Sequence, residues 1–383
     1  MLNDLQRNFP RTAAVIAEKT AEGGGGQLYV SRWGQPLLDY AWGKSWRGRD
    51  LTPDILVPWA SAVKPSTCVT VLRRWEQGLL DLDDPVVKFI PEFAANGKEK
   101  VTIRHLLTHT AHLGGYPGPA YVGTWEDTVG RIAAAPRLAQ MPLLLRKLEA
   151  GETLPPALPP PPLGTTPGYN PAGLWILAEI VRRLDGRPFS EIVRQEVYEP
   201  CGMEDSWNGI PRERFRAYGD RLQTPSVVDE DAAAKCQPAG GGVGPSRELG
   251  RFYEMLLNRG QSDGRRILTP QTVEAMTARH TTEGVRWGLG TMLNFPLPGQ
   301  AAEMWAKYGG EPAAALNERF DLAEFANRVR FGLHASPRTF GHGGAYGNLG
   351  FADPEHGVVV SLICGYFGAQ IATAVYEDLG LIS

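Results

Sequence analysis

Cysteine is scarce. Only four are spread over the 383 residues, and no two of them form a CxxC pair. Cys68, Cys201, Cys236 and Cys364 therefore frame neither a disulfide scaffold nor a zinc ribbon, and reduced thiols are expected. An excess of one charge is also lacking. Lys and Arg number 39 against 42 Asp and Glu, with no block of like charge. A nucleic-acid partner would show as a basic patch, so none is expected. No apolar run approaches the length of a membrane helix. The opening MLNDLQRNFPRTAAVIAEKT has no apolar core of signal-peptide length. The expectation is a cytoplasmic protein with no membrane partner.

What is present is ordinary globular composition, 43% hydrophobic and 21% charged. Leu5 to Ala21 reads as an amphipathic helix closed by the glycines Gly23 to Gly26. QLYVSRW and LLDYAWG read as two strands around a turn at Gly34. Ser61 to Leu80 reads as a helix, with Pro65 early enough in it to cost little. Val101 to His112 and Leu174 to Leu184 read as helices too. The proline-rich stretch Leu154 to Gly168 is either a linker or a stiff loop that carries the next residues into a cleft. PAGGGVGPSRELGRFYEMLLNRG is a turn leading into a helix, with Ser246 as its N-cap. Strand-like WGLGTML precedes a long stretch and then FGHGGAYGNLGFADPEHGVVVSLICGYF, which reads as two or three strands. QIATAVYEDLGLIS is a closing helix. Strands at both ends with helices between them imply one sheet with an inserted helical lobe.

Ser61-Ala62-Val63-Lys64 sets Ser and Lys three residues apart, within reach on one helix face. A serine hydroxyl needs a base, and a lysine serves if desolvation lowers its pKa. The start of a helix also offers free N–H groups to a developing oxyanion. Alone, a four-residue pattern of this kind is weak. Tyr169, in PGYNPAGLWILAEIVRRLDG, is either a packing residue or a phenol that moves protons. His342, followed by Gly343 and Gly344, is either a hairpin residue or the edge of a cleft that a substrate approaches closely. His105, His109 and His112 do not form an HExxH site, and GGGVG lacks the ending of a phosphate loop. Neither a metal nor a cofactor is required.

These segments together resemble the serine β-lactamase-related family. That family holds class C β-lactamases, D-alanyl-D-alanine peptidases, family VIII esterases and related acyltransferases. SAVK is similar to its SxxK motif, and WEQGLLDLDDPVVKFIPEF to the stretch after it. VTIRHLLTHTAHL, GYNPAGLWILAEIVRRLDG, PAGGGVGPSRELGRFYEMLLNRG and FGHGGAYGNLGFADPEHG resemble the later segments, in order, across almost the whole chain. The resemblance implies an α/β (α+β) fold: an antiparallel sheet flanked by helices, with an inserted mostly helical lobe. It implies one catalytic domain over 1–383. Residues 1–75 and 240–383 would form the sheet lobe and 76–239 the helical lobe. It makes Ser61 the nucleophile, Lys64 its base and Tyr169 the proton shuttle. His342, Gly343 and Gly344 take the place of Lys-Thr-Gly, and the N–H groups of Ser61 and Ala345 form the oxyanion hole.

Two motifs depart from the family pattern. Pro171 stands where Tyr-x-Asn has its asparagine, and Asn170 is one residue off, a substrate-binding candidate whose amide is displaced. A neutral His and a hydroxyl-free Gly replace the Lys and Thr that grip a substrate carboxylate. That weakens binding of anionic β-lactams and resembles the esterase and acyltransferase branch. The expected partner is a small ester or amide acyl donor, with water or an amine or alcohol as acceptor. A β-lactamase or D-amino-acid peptidase is the alternative. A non-catalytic relative that keeps the cleft for binding is the alternative of another class. Residues 294–338 run longer than the family usually shows and either cover the cleft or decorate the periphery.

Overall fold

The computed structural model describes residues 4–21, 23–45, 47–118, 123–138, 159–223, 229–281, 286–294, 330–364 and 367–382. Its centre is a six-stranded antiparallel sheet. The N-terminal strands are β1 (Gly25–Arg32) and β2 (Gln35–Gly43). Three short pieces pair as a second sheet: β3 (Val57–Pro58), β4 (Trp207–Asn208) and β5 (Gly242–Gly244). A small hairpin follows, β6 (Gln261–Ser262) and β7 (Arg265–Arg266). The rest of the main sheet is C-terminal: β8 (Met292–Leu293), β9 (Phe340–Gly343), β10 (Leu349–Asp353) and β11 (Val358–Ile363). The order across the sheet is β2-β1-β11-β10-β9-β8, so the two ends of the chain meet in its middle.

Period-two alternation assigns the faces of the central strands. Leu28, Val30, Val358, Val360 and Leu362 enter one core, with Leu5, Phe9, Ile16, Ile371 and Tyr376. Val359 and Ile363 face the other core, which continues into the helical part through Val71, Leu72, Ile176 and Ile180. Helix Ser246–Leu257 covers this second face, where Gly250 admits the Tyr29 ring. Helices Pro10–Lys19 and Gly368–Asp378 cover the first. Asp378 accepts from Arg11 N at 3.0 Å and from Thr12 N at 2.8 Å, so the last helix caps the free N–H groups of the second.

Several sequence readings are corrected. The first helix is broken into Leu5–Asn8 and Pro10–Lys19, because Pro10 has no N–H to continue the ladder. Gly25 and Gly26 belong to β1, where a Cβ on Gly26 would strike Ile363 O and the Trp42 ring. Helix Val101–His112 shrinks to Ile103–Leu107, since His109 and His112 take left-handed φ of 56° and 52°. The helix after Ser61 spans Lys64–Glu76, and Ser61 itself lies in a 3-10 turn, Ala60–Val63. Pro245 holds the cap position read for Ser246, whose Oγ instead bonds Ser361 O at 2.9 Å. The proline-rich stretch is described only from 159 onward. There Arg137 bonds Pro161 O, and Gly168 N donates to His109 O at 2.8 Å, so it delivers Tyr169 to the centre of the molecule. Most of 294–338 lies outside the described residues. At its described ends Asn294 Nδ2 donates to Ala335 O at 2.8 Å and to Ser336 O at 2.9 Å.

Candidate active site

The small β3–β5 sheet aims the Ser61 turn. Trp59 N donates to Gly242 O at 2.8 Å and its indole to Gly244 O at 3.0 Å. Both glycines are needed for this fit, because a Cβ on Gly242 would meet Val63 at 2.5 Å and one on Gly244 would meet Trp59 at 2.6 Å. Ala60, immediately before Ser61, holds φ of 50°. A left-handed alanine is strained and persists only where surroundings enforce it.

Lys64 opens the following helix and is 1% exposed. Its Nζ lies 2.6 Å from Ser61 Oγ and donates to Ala239 O at 2.5 Å. Among the described residues no carboxylate pairs with it. Burial therefore pushes the ammonium down to about 7. The Cys68 thiol is buried and pushed up to about 12, so it stays neutral. The four cysteines are free thiols, as the sequence suggests.

Tyr169 closes the group. Its ring centroid is 5.0 Å from Lys64 Nζ, and its phenol is hydrogen-bonded to Ser61. Burial of the phenol end raises it to about 12, and the bond to Ser61 pulls it back only in part. It is therefore a protonated donor at neutral pH. The ring stacks on Trp287 at 6.0 Å and leans on His109 at 5.0 Å, while 48% of the residue is open to the cleft. His109 is buried and desolvation pushes it down to about 3, so it is a neutral wedge.

His342 sits in β9 and is buried, with its ring 5.9 Å from Tyr169 and 5.7 Å from Trp287. Its Nδ1 lies 2.6 Å from Gly343 O, which assigns the proton to Nδ1. Desolvation, with Lys64 nearby, holds the imidazole well below its usual range. This corrects its reading as a substrate-contacting edge: the ring backs Tyr169 from inside. The close approaches of the two glycines are likewise to protein. A Cβ on Gly343 would meet Arg330 Nη1, and one on Gly344 would meet Trp59 O at 2.5 Å and Ala62 N at 3.3 Å. Gly344 thereby sets the turn opened by Ala345 against the turn carrying Ser61, and Asn348 Nδ2 clamps the pair by donating to Pro58 O at 2.9 Å. First N–H groups of such turns lack partners within the turn.

Asn170 does not serve the cleft. Its Nδ2 donates to Leu113 O and its Oδ1 accepts from Ala172 N at 2.7 Å, so both ends of the amide are engaged by backbone. The substrate-binding reading of Asn170 is corrected accordingly. Two residues near the site, Trp287 and Arg330, went unread in the sequence, and His109 was weighed there only as a metal ligand. Arg330 is a buried guanidinium beside Gly343 whose charge is felt by Tyr169 and His342. His109 lies in VTIRHLLTHTAHL, matched to the family, and Trp287 in WGLGTML, noted only as strand-like. His105 caps its own helix, and His112 bonds Thr166 O at 2.7 Å.

An antiparallel sheet beside a helical region, with a serine–lysine pair between them, defines the β-lactamase and penicillin-binding-protein fold. Residues 12–371 match the family model described as Beta-lactamase, and the chain belongs to that family. It is 25% identical over 383 residues to the esterase/beta-lactamase LipL of Mycobacterium tuberculosis, covering 89% of this chain and 76% of that one. It is 36% identical over 241 residues to esterase EstB of Burkholderia gladioli, covering 60% of this chain and 59% of that one. The acyltransferase calJ of Penicillium decumbens is 27% identical over 255 residues, 59% of this chain and 57% of that one. Among solved structures, a penicillin-binding-protein homologue from Caulobacter crescentus superposes with a TM-score of 0.70 at 23% identity, covering 97% of each chain. EstCE1, described as a hydrolase with promiscuous acyltransferase activity, superposes with a TM-score of 0.68 at 21% identity, covering 97% of this chain and 99% of that one. These two likenesses show the fold.

Proposed function

We propose that this chain is a serine esterase that works through an acyl-enzyme, with Ser61 as nucleophile, Lys64 as base and Tyr169 as proton shuttle. The observation that carries the reading is the Lys64 amine, buried with no carboxylate partner among the described residues and 2.6 Å from Ser61 Oγ. With its pKa near 7, about half of the amine is neutral at pH 7. A neutral amine accepts the Ser61 proton as Oγ bonds to the ester carbonyl carbon. The carbonyl oxygen becomes an oxyanion held by the N–H groups of Ser61 and Ala345. When the C–O bond breaks, the Tyr169 phenol gives its proton to the leaving alkoxide and regains one from the Lys64 ammonium. A water then repeats the cycle on the acyl-enzyme and releases the acid.

Transfer is the second reading. An amine or alcohol in place of water gives a new amide or ester, and the acyltransferase calJ among the relatives favours it. β-Lactam hydrolysis ranks below both, because His342 and Gly343 replace the usual Lys and Thr. A fluorophosphonate probe tests the shared step. One adduct on Ser61 by intact mass, absent in Ser61→Ala, is expected; a labelled Ser61→Ala protein would overturn the assignment. Comparing product ratios with and without an added amine then separates water from amine as acceptor. A chromogenic cephalosporin turned over faster than simple esters would reverse the substrate ranking.

A further inference from the structure

A groove of about 840 Å³ lies apart from Ser61, and none of its lining residues belongs to the site described above. Its volume is near the top of the range for small-ligand sites, roughly 300–1,000 Å³. One wall is the C-terminal end of helix Ser246–Leu257 with the β6–β7 hairpin. A second is helix Pro270–Thr277. The third is Phe340 at the start of β9, together with the turn between β1 and β2.

That turn is the unusual part. Arg32 pairs with Gln35, which leaves Trp33 and Gly34 as a two-residue loop with φ of 50° and 75°. Such a turn favours asparagine or glycine at its first position, because a bulky side chain there is strained. Here the position holds an indole, and 63% of the residue is exposed. The ring is nonetheless fixed. Trp33 N donates to Gly357 O at 2.7 Å, and a Cβ on Gly357 would strike the indole, so the ring lies on backbone kept bare for it. Among the described residues, seven other than glycine hold a left-handed φ. Ala60, His109 and His112 belong to the Ser61 region, while Trp33, Arg259 and Asp263 line this groove. Strain of this kind clusters at active sites and ligand clamps.

The charged groups of the groove are of both signs. Asp263, Glu274, Arg259 and Arg338 line it and are exposed, yet among the described residues none of the four is in an ion pair. Exposed charges elsewhere do pair, as Arg212 does with Asp231 at 2.5 Å. Carboxylates only accept and guanidiniums only donate, so the two kinds held apart in one groove suit a ligand whose groups do both. A hydroxyl is such a group. A charged ligand would be opposed by one of the two signs, and an apolar one would leave both without partners. We propose that this groove binds a neutral oligosaccharide, with one pyranose laid on the Trp33 indole. The C–H face of the sugar ring packs flat on the indole, and its rim of hydroxyls turns to the carboxylates and guanidiniums. The groove holds a glycan and takes no part in the chemistry at Ser61.

Saturation-transfer NMR on the full chain, titrated with cellohexaose, maltohexaose and chitohexaose at millimolar concentration, tests the proposal. Binding of at least one of the three is expected. Trp33→Asn supplies the residue that the turn favours, so it should fold at least as well while losing the platform. Its expected effect is a loss of about tenfold or more in affinity, the size of one good aromatic contact. Glu274→Ala, at an exposed helix position, should weaken binding in the same direction. Fluorophosphonate labelling of Ser61 should be the same in both variants and in the presence of saturating saccharide. No binding of any of the three, or unchanged affinity in both variants, would overturn the proposal. Protection of Ser61 from labelling would put the sugar in the catalytic cleft and overturn the groove. Sedimentation showing that the wild type self-associates and Trp33→Asn does not would also overturn it, because a second copy would then cover the indole.

Discussion

Replacing Lys64 by Met removes the base and, by the same physics, stabilises the fold. The folded protein holds this amine at about 7, against 10.5 for a free lysine. At 1.36 kcal/mol per tenfold, excluding the charge costs about 5 kcal/mol at low pH and about 4 kcal/mol at pH 7. Between these two pKa values the unfolded chain binds more protons, so this term stabilises the fold increasingly as pH rises from 7 to 10.5. Methionine has similar length and no charge to bury. It leaves Ala239 O without its donor, which costs about 2 kcal/mol. The net expectation for Lys64→Met is a gain of about 2 kcal/mol at pH 7. The gain should be near 3 at pH 6 and near 1 at pH 8.5, because the penalty it relieves fades by about 2 kcal/mol over that range. Urea unfolding followed by tryptophan fluorescence at those three pH values reads the difference directly. A gain that is flat with pH, or a loss at all three, would refute a depressed Lys64 and with it the proposed base.

The rate of acylation should rise about tenfold per pH unit below 7 and level above it, since only neutral Lys64 accepts the proton; pre-steady-state burst kinetics measure it. His109 and His342, held neutral by burial, should add no second limb between pH 5 and 8. Gly344→Ala should cost about 10²-fold or more in kcat, because the new Cβ separates the Ser61 and Ala345 turns. Gly343→Ala meets the Arg330 side chain rather than backbone and should be milder, which kinetics on the paired variants will show. Arg74, 2% exposed, bonds Glu196 at 2.6 Å and Asp185 at 2.6 Å. Arg74→Met should lose about 3 kcal/mol in denaturant titration, and adding Glu196→Leu should recover part of it.

The readable parts of the site were the local ones. Ser61 and Lys64 are three residues apart, so their meeting follows from helical geometry alone. Apolar runs marked β10 and β11, and the turn at Gly34 marked the β1–β2 hairpin. Asn170 was unreadable because its fate depends on Leu113 O, which a loop from another helix supplies. Trp287 packs on Tyr169 and the Arg330 charge is felt there, with no spacing rule to announce either. The meaning of Gly343 and Gly344 was read in part: both permit close approach, but the approaching atoms are the protein's own. Helix ends failed where single residues took left-handed backbone, as at His109.

The central pairing of β1 with β11, Gln27 opposite Ile363, joins segments from the two ends of the chain. Such a contact forms late, because the entropy of closing so long a loop must be met before any pairing rewards it. Ser61 and Lys64 leave the ribosome early, yet Gly344 and Ala345, which the proposed mechanism needs for the oxyanion, follow far behind. On the proposed mechanism, a partly synthesised chain carries a serine without its electrostatic partner and should be chemically silent. Reactivity toward an acylating probe becomes a marker of completed folding, switched on only when the last strands insert between the first and the helical lobe.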